Sequence, residues 1–133
     1  MIVVIDASAA VEIALNKEFS TQYKNLLQVA DMAIAPDTFI SEITNVFWKY
    51  RKFSQFSDDT CISGIDFCHG LIDDYVNSSS IWREAYFEGV RHQHSTYDMF
   101  YIVVARRNNA VLITRDKRLN ELSKSIGVKI VSD

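Results

Sequence analysis

The chain opens on an unbroken apolar run, Ile2-Val3-Val4-Ile5, closed by Asp6. Such a run without polar alternation predicts a strand buried on both faces, as in a parallel sheet. Residues 8–15 then read as helical. Residues 19–30 carry apolar positions at Phe19, Tyr23, Leu26, Leu27 and Ala30, a helical period. Met32 to Ala35 predicts a second strand. Pro36-Asp37 predicts a helix entry, and the helix should run to about Phe53 with Phe39, Ile40, Ile43, Val46, Phe47 and Tyr50 as its apolar positions. Ser57-Asp58-Asp59 opens another helix that ends near His69-Gly70. Leu71 to Val76 reads as a short strand, and Ser78-Ser79-Ser80 as the cap of a helix from Ile81 to about Val90. Ser95 starts a helix through Arg107, which Asn108-Asn109 ends. Val111 to Thr114 is a strand, Asp116 to Ile126 a helix stopped by Gly127, and Val128 to Val131 a last strand. This alternation predicts an α/β fold, a parallel sheet with helices on both faces.

A length of 133 residues suits one domain, 1–133, with a real core, and a hydrophobic fraction of 48% argues against disorder. No stretch is long enough to span a membrane. The N-terminal apolar run has no basic region before it and is interrupted by Asp6, so a signal peptide is not expected and the expected location is cytoplasmic. Cys61 and Cys68 are seven residues apart, which fits two turns of one helix face and the core. No Cys/His spacing resembles a zinc site. His69, His92 and His94 are scattered, although His92 and His94 fall near the entrance of the site considered next.

That site rests on four carboxylates: Asp6, Glu42, Asp98 and Asp116. Each stands where a strand ends or a helix begins. In a parallel α/β sheet those points share one edge. Acids gathered there repel one another unless a cation joins them, and hard oxygen donors suit Mg²⁺ or Mn²⁺. The chemistry this suggests is metal-assisted phosphodiester hydrolysis.

Each acid also has an ordinary explanation. Asp6 and Asp116 could be helix N-caps. Asp98 stands three residues after Ser95, as in a capping box. Glu42 lies in an early helical turn, where a carboxylate gains from the helix dipole. The set resists that explanation better than its members do. Asp6 follows an apolar run, and Asp98 precedes Met99-Phe100-Tyr101-Ile102-Val103-Val104, so a buried charge there is costly unless partnered. Ser8, Asn45 and Thr114 lie two or three residues from an acid and could orient a carboxylate or a metal-bound water; local backbone bonding is the plain alternative for the two hydroxyls.

Together these residues resemble a known family. Asp6-Ala7-Ser8 after a strand, Glu42-x-x-Asn45-x-x-Trp48-Lys49, Tyr97-Asp98-x-x-Tyr101 and Leu112-x-Thr114-x-Asp116 look like a PIN-domain ribonuclease, closest to the VapC-like toxins of prokaryotic toxin–antitoxin pairs. The resemblance runs in order over essentially the whole chain. It implies an α/β/α sandwich around a central parallel sheet, with Asp98 brought to the edge of the other acids. It also implies Mg²⁺- or Mn²⁺-dependent cleavage of RNA, homodimers, and inhibition by a cognate antitoxin protein. Asp6 and Asp98 are then the expected ligands of one ion, directly or through water. Asp116 and Glu42 would complete the pocket, binding a second ion or positioning the attacking water. Residues 54–80 carry no recognisable motif.

The net charge of −3 weighs against a nucleic-acid binder, but without the four site acids the rest of the chain stands at +1. Local basic residues matter more: Lys49, Arg51, Lys52, Arg115 and Lys117 are candidates for phosphate contacts, with solvated helix faces as the alternative. Trp48, Tyr50 and Trp82 are read first as core or interface residues, with base stacking as the alternative. Three other functions compete. The first is a non-catalytic RNA- or protein-binding PIN-like domain, which would usually lose an acid. The second is a receiver-like phosphoacceptor, which needs an acidic pair near the first strand and a lysine after a late strand, whereas Asp6 stands without an adjacent acid and acids come from helices too. The third is an interaction domain whose acids are only caps.

Overall fold

The structure, a computed structural model, describes residues 1–131. Five strands, β1 (Ile2–Ile5), β2 (Met32–Pro36), β3 (Asp74–Val76), β4 (Val111–Ile113) and β5 (Lys129–Ile130), form one sheet in the order β3-β2-β1-β4-β5. Every pairing is parallel. Seven helices flank the sheet: α1 (Ala7–Ala14), α2 (Ser20–Val29), α3 (Phe39–Phe53), α4 (Asp58–Gly70), α5 (Trp82–His92), α6 (Thr96–Arg107) and α7 (Lys117–Ile126). This is the expected PIN-like α/β/α sandwich. No helix among the described residues is long and apolar enough to cross a membrane.

The apolar runs explain the layering. Val3, Val4 and Ile5 of β1 are wholly buried, as a strand covered on both faces must be. α6 is the most deeply set helix: Met99 and Tyr101 through Ala105 are all buried, and it packs on β1 and β2. Phe39, Ile43 and Phe47 form the inner stripe of α3. Each such side chain contributes roughly 2 kcal/mol by leaving water. Cys61 and Cys68 are free thiols in this core, as their spacing suggested. α5 is tied to α6 by Arg106, which donates to Glu84 at 3.1 Å and to Glu88 at 3.3 Å.

Several boundaries differ from expectation. Pro36 does not open a helix. It ends β2 opposite Val76, a strand terminus where a missing N–H is tolerated, and α3 starts only at Phe39. Ser78–Ser80 form a short 3₁₀ turn rather than a simple cap, with Asn77 Oδ1 accepting from Ser79 N, and α5 begins at Trp82 and reaches His92. Gly127 closes α7 in the left-handed region, φ +88°, as its position implied.

The chain steps outward from β1 to β2 and β3, then returns to add β4 and β5 on the other side. The crevice between the C-terminal ends of β1 and β4 is therefore the topological switch point, where open α/β sheets bind ligands. Asp6 stands at the end of β1, and Thr114 directly follows β4.

Candidate functional site

At the switch point Asp6 is held from three directions. Its backbone N–H donates to the Ile113 carbonyl at 3.1 Å, extending the β1–β4 ladder by one step. Its Oδ1 accepts from Ala9 N at 2.9 Å and from Ser8 Oγ at 2.7 Å, and its Oδ2 accepts from Thr114 Oγ1. The two hydroxyls are committed in turn. Ser8 Oγ accepts from Arg115 N at 2.9 Å, and Thr114 Oγ1 accepts from Asp116 N at 3.0 Å. Ser8 and Thr114 thus clasp the start of α1 to the loop after β4, with the Asp6 carboxylate between them. Asp6 is both an N-cap and a member of the acidic site. Burial pushes its pKa up to about 6, against the lowering by its three donors, and the nearby Asp98 charge adds to the rise.

Glu42 sits in the first turn of α3. The buried Tyr101 of α6 reaches across and donates its hydroxyl to Glu42 Oε2 at 3.2 Å. Glu42 Oε1 is buried and has no partner among the described residues. Burial raises the Glu42 pKa to about 7, and the charges of Asp6 and Asp98 push the same way. The Tyr101 hydroxyl is itself pushed well above its ordinary value, by burial and by these same acids.

Asp98 occupies the first turn of α6, one-third exposed. Ser95 makes no side-chain capping bond there, so the capping-box explanation does not hold for Asp98. Burial raises its pKa, the His94 ring lowers it, and Asp116 raises it. His94 Nε2 lies 3.6 Å from Asp98 Oδ2. Asp116 is an exposed N-cap of α7, its Oδ1 accepting from Leu119 N at 3.0 Å.

The four acids therefore feel one another electrostatically, but they are not drawn into a tight cluster. Among the described residues, no three His, Cys, Asp or Glu side chains are placed to enclose a metal ion. Nor does the aromatic bulk beside Asp98 enclose it fully: Tyr101 is buried, but Tyr97 is among the most exposed large residues. Asn45 is exposed on α3 and makes no hydrogen bond to the acids.

The basic candidates differ in freedom. Arg51 donates to Asp58 at 2.9 Å, linking α3 to the start of α4. The Arg115 guanidinium lies over the Phe19 ring, 4.1 Å from its centroid, and 3.5 Å from the buried Glu12 carboxylate. Lys49 and Lys117 make no ion pair among the described residues. Lys117 and Arg115 border a cavity of about 310 Å³ that Thr114, Phe19 and Tyr23 also line. Tyr50 packs on Phe56 with ring centroids 4.9 Å apart, whereas Trp48 and Trp82 are exposed rather than core residues.

Tyr101 was visible in the sequence only as part of a motif, with no role assigned. Its signal is a hydroxyl three residues after Asp98 in an otherwise apolar helix. His94, four residues before Asp98, is the other neighbour that spacing alone left unassigned.

Residues 3–125 match the PIN domain family, and the chain belongs to it. Among solved structures, it is similar to PAE2754 from Pyrobaculum aerophilum at 20% identity and a TM-score of 0.76, covering 96% of this chain and 81% of that one. It is also similar to VapBC2 from Rickettsia felis bound to a DNA fragment from their promoter, at 13% identity and a TM-score of 0.67, covering 98% of each chain. At these identities the likeness is one of fold. No curated protein matches the sequence.

Proposed function

We propose that this chain is a metal-dependent endoribonuclease, the toxin of a type II toxin–antitoxin pair, acting as a homodimer and inhibited by a cognate antitoxin protein. The observation that carries the reading is the switch point itself. A triply bonded Asp6 stands there in the field of Glu42 and Asp98, and Glu42 keeps a buried oxygen with no partner among the described residues. A buried, unpartnered carboxylate oxygen costs free energy that a ligand or cation would relieve.

The donor set, all oxygen, fits Mg²⁺ or Mn²⁺. Mg²⁺ is usually held by one or two carboxylates and keeps several waters, so it does not need an enclosing protein cage. Asp6 and Asp98 would hold it, directly or through water, with Glu42 and Asp116 completing the pocket. Bound there, the ion supplies charge stabilisation at the scissile phosphate and a more acidic water. The chain's own residues do the rest. Ser8 and Thr114 fix the orientation of Asp6, and Tyr101 fixes Glu42. The Glu42 carboxyl, which burial raises to about 7, would take the proton from the attacking water. Asn45 is placed to meet the substrate rather than to orient an acid. Lys49 and Lys117 are the freer phosphate contacts; Arg51 and Arg115 would first leave Asp58 and Glu12. The antitoxin is supported by the likeness to VapBC2 and by an exposed apolar stripe on α5, Trp82, Tyr86, Phe87 and Val90, which suits a protein partner.

The competing reading, a non-catalytic RNA- or protein-binding PIN-like domain, is favoured by one observation, the spread of the four carboxylates. Incubating end-labelled RNA and DNA of one sequence with Mg²⁺, Mn²⁺ or EDTA separates the two. Internal cutting of RNA that EDTA abolishes supports the nuclease. RNA retained intact under all three conditions moves the binding domain to the front.

A further inference from the structure

We propose that Asn45, Trp48 and Lys52 on the outer face of α3 form a stacking platform for one base of a single-stranded RNA, beside the acidic site. This rests on the reading of RNA as substrate. The inner stripe of α3 is already complete with Phe39, Ile43 and Phe47, all buried, so packing does not call for a tryptophan at 48. Trp48 instead keeps 53% of its surface open. Hydroxyl and amide side chains stand beside it on the helix, in a groove whose surface is mostly apolar. The groove, shallow and of about 510 Å³, is lined by Ser41, Thr44, Asn45 and Trp48. Ser41 and Thr44 donate their hydroxyls to carbonyls of the preceding turn, at 2.9 and 2.8 Å, which leaves oxygen lone pairs facing outward. Asn45 makes no hydrogen bond among the described residues, so both its donor and its acceptor are available to a base edge.

The charge is uncompensated. The Lys52 ammonium lies 5.1 Å from the Trp48 ring centroid, and neither Lys49 nor Lys52 makes an ion pair among the described residues. Arg51, between them, is neutralised by Asp58. An aromatic face, a free amide and two unpaired ammonium groups match base, base edge and phosphate of a single strand. A protein partner is better matched by the longer apolar stripe of α5, whereas this face sets two exposed aromatics, Trp48 and Phe53, under the Lys52 ammonium at 5.1 and 5.3 Å. Position ties the platform to the site. Glu42, Asn45 and Trp48 follow one i, i+3 ridge, each about 60° around the helix from the last and about 9 Å along it in all. A strand whose phosphate sits at the acids therefore passes Asn45 and then Trp48, making Trp48 a specificity-determining residue for the neighbouring nucleotide.

The test uses the full chain with Trp82→Phe, so that Trp48 is the sole tryptophan, and Asp6→Asn to prevent cutting. A labelled single-stranded RNA of mixed sequence is titrated in EDTA, following tryptophan emission and label anisotropy. Expected are quenching of Trp48 and, for Trp48→Ala, binding weaker by roughly ten- to a hundredfold. Trp48→Phe should restore most of the affinity, and Lys52→Ala should lower the salt slope by about one. Duplex RNA of the same sequence should not quench. Three results overturn the platform: no binding, equal affinity of Trp48→Ala, or Trp48 emission that shifts with protein concentration before RNA is added, which would mean a second copy covers it. Failure of the nuclease reading looks different. There, RNA stays uncut with either metal while quenching of Trp48 persists.

Discussion

Tyr101 donates its hydroxyl to Glu42 Oε2 at 3.2 Å, joining α6 to α3 across 59 positions of sequence. The bond lowers the Glu42 pKa against the rise that burial causes, and it leaves Oε1 as the free oxygen. Tyr101 is thus a positioning residue in this account.

Tyr101→Phe should therefore raise the Glu42 pKa above about 7 and cost about 1 kcal/mol of stability, since the ring still fills its place in the core. RNA cleavage should fall about tenfold, in the range usual for outer residues that orient a metal site's ligands. Its pH profile should move to the alkaline side. A pH–rate profile checks this; loss of rate with an unmoved profile would assign Tyr101 to packing alone.

Stability should depend on pH through Asp6 and Glu42. Both bind protons more tightly folded than unfolded, with folded values of about 6 and about 7 against ordinary values of 3.8 and 4.5. Between pH 4 and 7 the native state holds more protons, so stability falls as pH rises through that window. The Asp6 shift corresponds to about 3 kcal/mol. Melting curves in EDTA should show Tm dropping from pH 5 to pH 7.5, by less in Asp6→Asn. Mg²⁺ or Mn²⁺ should restore Tm mainly at the higher pH, and equal metal effects at both pH values would count against binding by these acids.

The hydroxyl of Thr114 serves two partners, donating to Asp6 and accepting from Asp116 N at 3.0 Å. Thr114→Val keeps the shape and breaks both bonds, and should cost about 1–3 kcal/mol in urea denaturation. Thr114→Ser should stay within about 1 kcal/mol of wild type. A loss confined to Thr114→Ser, with Thr114→Val as stable as wild type, would mean that the methyl, not the hydroxyl, matters.

Lys117 and Arg115 should separate by readout. Lys117→Ala is expected to lower the salt slope of RNA binding by about one with no change in Tm. Arg115→Ala should lower Tm, because the buried Glu12 loses the cation 3.5 Å away and Phe19 loses its cover. A Tm shift in Lys117→Ala would place it in the fold rather than at the substrate.

The sheet and its helices were legible because runs such as Ile2–Ile5 and Met99–Val104 admit few environments. Pro36 is ambiguous in sequence because proline suits a helix start and a strand end alike, and only the pairing with Val76 decides between them. The acids were legible as a set through their places at strand and helix ends. Which hydroxyl serves which acid was half legible: Ser8 is local to Asp6, but Thr114 reaches it over 108 positions. The Tyr101–Glu42 bond was out of reach, since spacing within one helix says nothing about a side chain on another. Trp48 and Trp82 lie outside the core of the chain, because apolar character alone does not tell a core stripe from an interface or an open face.

The central claim is that Asp6 and Asp98 act as one divalent-cation site for cutting RNA. The most direct test is the single-turnover cleavage rate of one end-labelled RNA in Mg²⁺ for wild type, Asp6→Asn, Asp98→Asn and the double variant. Asparagine at 6 is accommodated, because Thr114 Oγ1 can accept from its amide and turn its own proton toward Ser8 Oγ, 3.3 Å away. The account predicts that each single variant loses about a thousandfold or more, and that the double variant is no slower than either, as for residues acting as a unit. Wild-type rates in both single variants would contradict it.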